Sequence, residues 1–468
     1  MSLILGIPPV VLELHQQGLL ERAFNDALFP ALLFRSEALA EEWGQNTGDE
    51  LVMTRAGLLP AITTPLVPGS DPVPQAVPFE QWVAKLSQFS GTIDTHMPSS
   101  ATANANLLMR NIQQLGLQAG QSVDRVARNN LFQSYLQGNT NIIDAVGIGA
   151  VLLHVASLNG FTETVAPGVV ARPQPVSVAN PLPATLGVGG AAVLVSIVQA
   201  TPDNAGLPLG PGVVTLSAAL GAAFAARSPL KSAFATRSIR PSGGDSVDNV
   251  SPGDTFVLQQ AINAVAVLRQ NNVQPHEDGF YHAHISPTAN AQVFADPVFQ
   301  RLNQSLPEHV IYKEGFIGTI SGVMFFMNQQ SPDITNVSGA GQVLPSTGLL
   351  AKHGIEIGAD VVNKDGVQVG RTILTGKGAM YERYMDESAY MSEAGVTGKI
   401  GEFSVVNNGI SILTERIRFV LRAPIDRIQQ VVSASWTLST AFPVPSDITA
   451  NSSPAKFKRA VVLEHAVG

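Results

Sequence analysis

The sequence predicts an α+β fold in which a mainly β block interrupts the chain. Three observations carry this. One strong helical period runs from about Thr102 to Gln137, a nearly uncharged series of short strand-like pieces fills 141–250, and alternating strands close the C-terminus.

Composition sets the frame for these elements. Of 468 residues, 45% are hydrophobic, but only 14% are charged, where roughly 25% is ordinary for a soluble domain. An isolated monomer normally keeps a charged surface, so this chain is expected to hide surface against copies of itself. A net charge of −8 gives no global basic footprint for gripping phosphate. The absence of cysteine excludes disulfide frameworks, Cys-ligated zinc and thiol catalysis together. The N-terminal string Met1 to Pro9 lacks a basic region and carries two prolines, a poor export signal. No run approaches ~18 uninterrupted apolar residues, the nearest being Val188 to Ala200. The expectation is a soluble protein without membrane contact.

The elements follow in order. Leu12, Leu19, Ala23, Leu28 and Leu32 recur loosely at helical spacing and the stretch runs on to Trp43, while Pro30 divides it. Residues 10–43 therefore read as two short helices. Asp49 to Arg55 alternates like a strand, and Gly91 to Met97 reads as a returning one. Between them, Ala56 to Phe79 holds six prolines and a single charge, Asp71. Proline lacks the donor that helix and sheet both need, so this segment is expected to be a long extended excursion. The main helix places Leu108, Ile112, Leu115, Ala119, Val123, Val126 and Leu131 on one face, with Asp124 off it. Gly116 and Gly120 inside it are expected to mark close packing of another backbone.

From Pro173 to Ala226 the sole charge is Asp203, and apolar pieces such as Ala192 to Val198 lie between Gly/Pro turns. At Ser251-Pro252-Gly253-Asp254 a capping-box pattern opens a helix carrying Val257, Ala261, Val265 and Leu268. A strand over Gly279 to Ile285 follows, then helix starts at Ser286-Pro287 and Asp296-Pro297, then a strand-rich stretch from Ile311 to Asn328. Val405 to Leu421 alternates, and Val432, Ala434, Trp436 and Leu438 share one strand face.

Chemistry-bearing patterns are few. His282-Ala283-His284 would point two imidazoles the same way from a strand, with His276 nearby, but no carboxylate follows at ligand spacing. Polar strand side chains are the expected reading. Gly376-Lys377-Gly378 and Gly315 to Gly318 fall short of phosphate-binding motifs, and Gly318 to Gly322 carries its serine one place off a nucleophile elbow. Glu41 and Glu42 would face apart on a helix. Met380, Met385 and Met391 with Tyr381, Tyr384 and Tyr390 read as packing or interface material, and Arg416, Arg418, Arg422 and Arg427 as a solvated or interface ladder. No catalytic, cofactor or metal residue is assigned, and the expectation is a non-enzyme.

Several strings, in their order, resemble the major capsid proteins of tailed double-stranded DNA phages with the HK97-like fold, in particular the N4-like phage coat proteins. They are Gly48-Asp49-Glu50-Leu51-Val52, Leu59-Pro60, Thr64-Pro65-Leu66, Asp124-Arg125-Val126-Ala127-Arg128, Tyr281 to Pro287, Asp296-Pro297, Gly315 to Val323, and Leu421 to Arg427 with Trp436. The resemblance covers roughly 48–137 and 251–440. It implies an N-arm (1–47), an E-loop reaching over a neighbouring subunit (48–100), a peripheral domain with a spine helix (101–140), an inserted mainly β domain (141–250), an axial domain (251–398) and peripheral C-terminal strands (399–468). It also implies a homo-oligomer of hexamers and pentamers in an icosahedral virion shell, assembled in the host cytoplasm. The implied partners are a separate scaffolding protein, a portal, optionally a cement protein, and packaged DNA touched weakly and non-specifically. Two alternatives stay open at this point: an encapsulin-like cellular nanocompartment shell, and a metalloenzyme built on His282 and His284.

Overall fold

A computed structural model describes residues 19–28, 33–44, 47–56, most of 59–77, 79–102, 107–165, 170–171, 173–205, 208–244, 247–304, 318–328, 361–362, 367–385, 404–406, 409–414, 416–422, 430–445 and 459–467. The fold is mixed α and β, as expected. Two compact units divide the chain: Met1–Leu51, Val83–Ala127 and Met380–Pro443 form one, and Val52–Trp82, Arg128–Ala379 and Val444–Gly468 the other.

The first unit is built on a seven-stranded sheet with the order Ala38–Trp43, Met380–Met385, Val431–Ala441, Ile417–Arg422, Gly409–Thr414 and Ser404–Val406, and Ser87–His96 runs along the other side of Val431–Ala441. Strand Val431–Ala441 alternates up to Leu438 and is buried throughout after it: Val432, Ala434, Trp436 and Leu438 are all buried, as their shared phase predicts. Two expectations change here. Ala38–Trp43 is not a second short helix; it pairs in parallel with Met380–Met385, Ala38 opposite Met380 and Trp43 opposite Met385. Tertiary pairing overrides the local helical preference of its Ala and Glu residues. The stretch 405–421 is three antiparallel strands, reversed between Val406 and Gly409 and again between Thr414 and Ile417, where Arg416 sits at φ 68°. Alternation alone does not mark the second reversal, whose turn carries no Asn-Gly signal, whereas the first holds Asn407-Asn408-Gly409, a local hairpin signal within the alternating stretch.

Within the main helix, Leu107–Tyr135, the apolar stripe is buried much as expected, with Ala127 in place of Val126. Asp124 is the exception. It is fully buried and accepts hydrogen bonds from the backbone N–H groups of Phe34 (2.6 Å) and Arg35 (3.1 Å). A carboxylate here satisfies donors that open the short helical turn Arg35–Glu37. Gly116 is a close-approach site: a Cβ there would lie 2.5 Å from the Phe24 carbonyl oxygen of helix Leu19–Leu28. Phe24 in turn stacks near Phe419, with ring centroids 5.0 Å apart. Gly116→Ala is therefore expected to destabilise, since overpacking of about 1–3 kcal/mol outweighs the ~1 kcal/mol gain in helix propensity. Urea unfolding checks this, and a net stabilisation would refute it.

In the second unit, residues 139–232 form a closed antiparallel barrel. The strand order is Asn139–Asn141, Pro229–Ser232, Leu182–Leu186, Val193–Pro202, Gly212–Leu216 and Leu152–Val155. The ring shuts where Ile142 bridges Val155, with Ile143 N–H on the His154 carbonyl (2.8 Å) and Ala156 N–H on that of Asn141 (3.0 Å). Closure removes the sheet edges, and Leu153, Phe161, Leu182, Ile197, Val214 and Leu230 fill the interior. The chain enters and leaves at one clasp. Gly138 (φ 74°) donates to the Asn159 carbonyl (2.8 Å) and accepts from Ser232 N–H (2.8 Å), while Thr236 Oγ1 donates to the Tyr135 carbonyl (2.6 Å). A side chain at Gly138 would strike Ser232 and Ala235, and its φ favours glycine besides.

The unit's other sheet has the order Ser238–Ile239, Ala460–Ala466, Gln368–Thr375, Tyr281–Ile285, Val323–Met327 and Thr319–Ile320, with Val361–Val362 also on Gln368–Thr375. Helix Leu258–Gln270 covers one face through Ala261, Val265 and Leu268. Its start differs from expectation. Ser251 N–H and Oγ both reach Asp254 Oδ2 (2.8 and 2.9 Å), closing a turn, and the helix begins at Leu258, whose N–H is taken by Asp296 Oδ2 (2.9 Å). A distant carboxylate thus acts where Asp254 was expected, beside Gln260 Oε1, which accepts from the Val257 N–H (3.3 Å). The helix starts after Ser286 and Asp296 are as read: Ser286 Oγ accepts from Ala289 N–H, and helices Pro287–Ala295 and Pro297–Gln304 follow. The strands at the chain's end do not stay together. Ala460–Ala466 pairs with Gln368–Thr375, whereas Met380–Met385 lies in the first unit's sheet. Ala460–Ala466 is buried along its whole length, the mark of an interior strand.

Candidate functional site

Strand Tyr281–Ile285 does turn His282 and His284 to the face opposite Tyr281, Ala283 and Ile285, which join the helical core. Both meet the Phe326 ring there. His282 stacks on His276 (centroids 4.0 Å apart, planes 9° apart) and its Nε2 lies 2.8 Å from Asp278 Oδ2. His284 is fully buried beside Phe326, at 5.6 Å, and the same phenyl ring meets His282 edge-on at 5.0 Å. Partial burial works against the Asp278 charge, yet the Phe280 N–H and His282 hold its carboxyl below the usual carboxylate range. This arrangement braces the strand and its preceding turn.

The remaining motifs resolve into structure. Gly376 to Gly378 lies in the connection between Gln368–Thr375 and Met380–Met385, and Ser321-Gly322, both at positive φ, turns the short hairpin between Thr319–Ile320 and Val323–Met327. Glu41 and Glu42 stand on a strand; Glu41 pairs with Arg383. Met380 is fully buried and Tyr384 lies under the Arg416 guanidinium at 4.4 Å, so that group supplies packing and a cation–π contact. Gly315 to Ile317, Tyr390, Met391, Arg427 and residues 1–18 lie outside the described residues.

Two buried ionic clusters were not singled out by sequence reading. In the first unit, Glu382 binds Arg35 (2.7 Å) and Arg416 (2.9 Å). In the second, Glu464 binds Arg240 (2.6 Å) and Arg371 (2.9 Å). Burial alone would raise the Glu464 carboxyl, but the two guanidinium groups hold it below the usual range. The legible signal was one glutamate inside the apolar run Ala460–Ala466. Both clusters lock strands, and neither places a nucleophile beside a base.

The feature that stands out from the core is the proline-rich excursion. Its stem is two paired strands, Glu50–Ala56 and Phe79–Lys85, with Gln81 Nε2 on Thr54 Oγ1 (3.3 Å) and Lys85 near Glu50 (3.6 Å). Met53, Trp82 and Ala84 are buried at this stem, and Phe79 and Glu80 pair onward with Val170–Ala171. Beyond the stem the described residues of 59–75 lie in no helix or strand and are exposed, including Ile62 (71%), Val67 (69%) and Val73 (84%). Ser70 N–H closes a turn onto the Val67 carbonyl at 3.1 Å. Apolar side chains displayed this way have no role in the subunit's own core. Among the described residues, no helix is long and apolar enough to cross a membrane.

No family model matches the chain, and no curated protein matches it. Similar solved structures include the capsid of the cyanophage P-SCSP1u (11% identity, TM-score 0.45, over 93% of this chain and 88% of that one). The capsid asymmetric unit of cyanophage Pam1 is similar at 8% identity and TM-score 0.45, over 94% and 92% of the two chains. The capsid of Ralstonia phage GP4 is similar at 11% identity and TM-score 0.43, over 93% and 91%.

Proposed function

We propose that this chain is a major capsid protein, the subunit of an icosahedral shell that encloses the double-stranded DNA of a tailed phage. The observation that carries the reading is the proline-rich excursion, apolar and nearly uncharged, whose described residues of 59–75 are exposed beyond a stem of two paired strands. Such a segment gains free energy by lying on another subunit, roughly 1.5–3 kcal/mol for each large apolar side chain buried. In this reading 48–100 is the E-loop, 101–140 holds the spine helix of the peripheral domain, and 141–250 is an inserted domain whose core is the closed barrel. Residues 251–398 form the main part of the axial domain, and hexamers and pentamers arise from heterologous contacts that close into rings. The role is assembly, without catalysis. A separate scaffolding protein, a portal and optionally a cement protein complete the particle, in the manner of the N4-like coat proteins the sequence resembles.

Expression of the chain with its neighbouring genes, followed by negative-stain microscopy, tests the proposal. Shells or capsomer-sized rings are expected, with nuclease-protected DNA in particles that package. Absence of shells, rings and large oligomers would overturn it, while shells filled with a cargo enzyme would move the assignment to a cellular compartment.

A further inference from the structure

We propose that the clasp at the barrel's entrance holds a binding site for one neutral sugar ring, walled by Gln133, Gln137, Asn159, Thr162 and Thr164. A cavity of about 200 Å³ opens there between the last turn of the main helix, the turn at Asn159-Gly160 and the paired strands Glu163–Val165 and Pro173–Pro175. A cavity of ~150 Å³ accepts one benzene ring, and sites for larger ligands run to ~300–1,000 Å³. The occupant is therefore a single six-membered ring. None of the described lining residues is cationic, which disfavours phosphate and carboxylate ligands. The one acidic lining residue, Glu163, is exposed and lies on the opposite strand phase from Thr162 and Thr164.

The wall offers neutral groups that both donate and accept. Gln133, in the last helical turn, and Gln137, just past it, each bring an amide, and Thr162 and Thr164 each bring a hydroxyl. Among the described residues, none of these four side chains makes a hydrogen bond. Thr164 is 4% exposed, and a polar group set that deep gains most from a partner that can pair with it. The scaffold behind them is fixed. Asn159, also buried, donates through Nδ2 to the Gln133 carbonyl (2.8 Å), and its own carbonyl takes the Gly138 N–H (2.8 Å). Gly160, at φ 78°, lets this turn pass directly against Gly138, where a side chain would strike the Gly138 nitrogen. Phe234, Pro173 and Leu209 complete the wall with apolar surface. A sugar ring carries hydroxyls around its edge and C–H bonds on its faces, so it matches both kinds of wall. A purely apolar ring would leave the amides and hydroxyls unpaired. The site is independent of the capsid reading.

Ligand-observed NMR titration of the full chain with glucose, galactose and mannose in parallel tests the site. Saturable binding of at least one hexose is expected, with a Kd on the order of 1 mM for so small a neutral ligand. The binding should not depend on salt, because no charge is brought together. Gln133→Leu and Gln137→Leu should each weaken it about tenfold, the cost of an unpaired hydroxyl. Thr162→Val, at a half-buried hydroxyl, should do the same and keeps the test valid if the glutamine variants fail to fold. Gln199→Ala, exposed on a barrel strand and not lining the cavity, should change nothing. A titration with ethylammonium separates a sugar site from an amine site at Glu163. Saturation by the amine without saturation by a hexose would overturn the proposal. So would no saturable binding of any of the three hexoses, or binding undiminished in every folded variant of the wall.

Discussion

On the capsid reading, excision of residues 57–78, with Ala56 and Phe79 rejoined by a short Gly-containing turn, is expected to leave a folded chain that forms no shells. Among the described residues of 59–77 none is buried, and Met53, Trp82 and Ala84, the buried residues of the stem, all remain. The stem strands already pair, so a two-residue turn of the Asn-Gly kind can close them as a hairpin. The cost to the subunit is therefore small. The cost to assembly is large because the loss is repeated at every subunit. A handful of apolar side chains, each worth about 1.5–3 kcal/mol when buried, removed from every interface of a closed particle turns weak association into none. Size-exclusion chromatography with light scattering reads the assembly, and thermal unfolding reads the fold. Loss of cooperative melting would show that the segment belongs to the subunit core; shells of normal yield would show that it does not join subunits.

What the sequence revealed depends on how local each determinant is. The main helix, the central strand Val431–Ala441 and the caps at Ser286 and Asp296 rest on periodicity and on short-range side chain to backbone bonds, and all were legible. Proline density likewise marked the excursion, because a missing donor acts within a few residues. The Asn408-Gly409 turn was a local signal within an alternating stretch, while the other misreadings share a cause in long-range pairing. Ala38–Trp43 becomes a strand through Met380–Met385, more than 300 residues away, and Leu258 starts its helix on the carboxylate of Asp296. Barrel closure through Ile142 and Val155, and the exchange of the strands at 380–385 and 460–466 between the two units, depend on register, which a single sequence does not display. At the candidate sites, His282 and His284 with nearby His276 were visible, but the Asp278 contact to His282 and the Phe326 ring that meets both histidines were not.

Glu464→Gln is expected to be the most damaging single substitution outside the hydrophobic core, costing about 3–5 kcal/mol at neutral pH. Glu464 is 2% exposed, and the Arg240 and Arg371 side chains it joins are 7% and 11% exposed. An amide keeps the shape but leaves two buried guanidinium groups without a counter-charge, and breaking a buried pair from one side carries about that penalty. The native carboxylate also ties three strands at once, since Arg240 follows Ser238–Ile239, Arg371 lies on Gln368–Thr375 and Glu464 on the strand between them. The pH dependence has a definite sign. Burial alone would raise the carboxyl, but Arg240 and Arg371 prevail and its folded value lies below the ordinary 4.5. The folded state thus binds the proton less readily than the unfolded chain, so the stabilisation is complete above about pH 4.5 and is lost as pH falls through the depressed value. Urea unfolding of the wild type and the variant should accordingly give a constant difference from pH 7 to about pH 5 that shrinks below 4.5. A difference independent of pH down to acid unfolding would mean that the carboxylate charge is not what stabilises the sheet. The triple change Glu464→Leu, Arg240→Met and Arg371→Met supplies the complementary measurement. If unpaired charge is the cause of the single variant's instability, removing all three charges together should restore most of the loss, because well-packed apolar replacements of a buried triad are often neutral or stabilising.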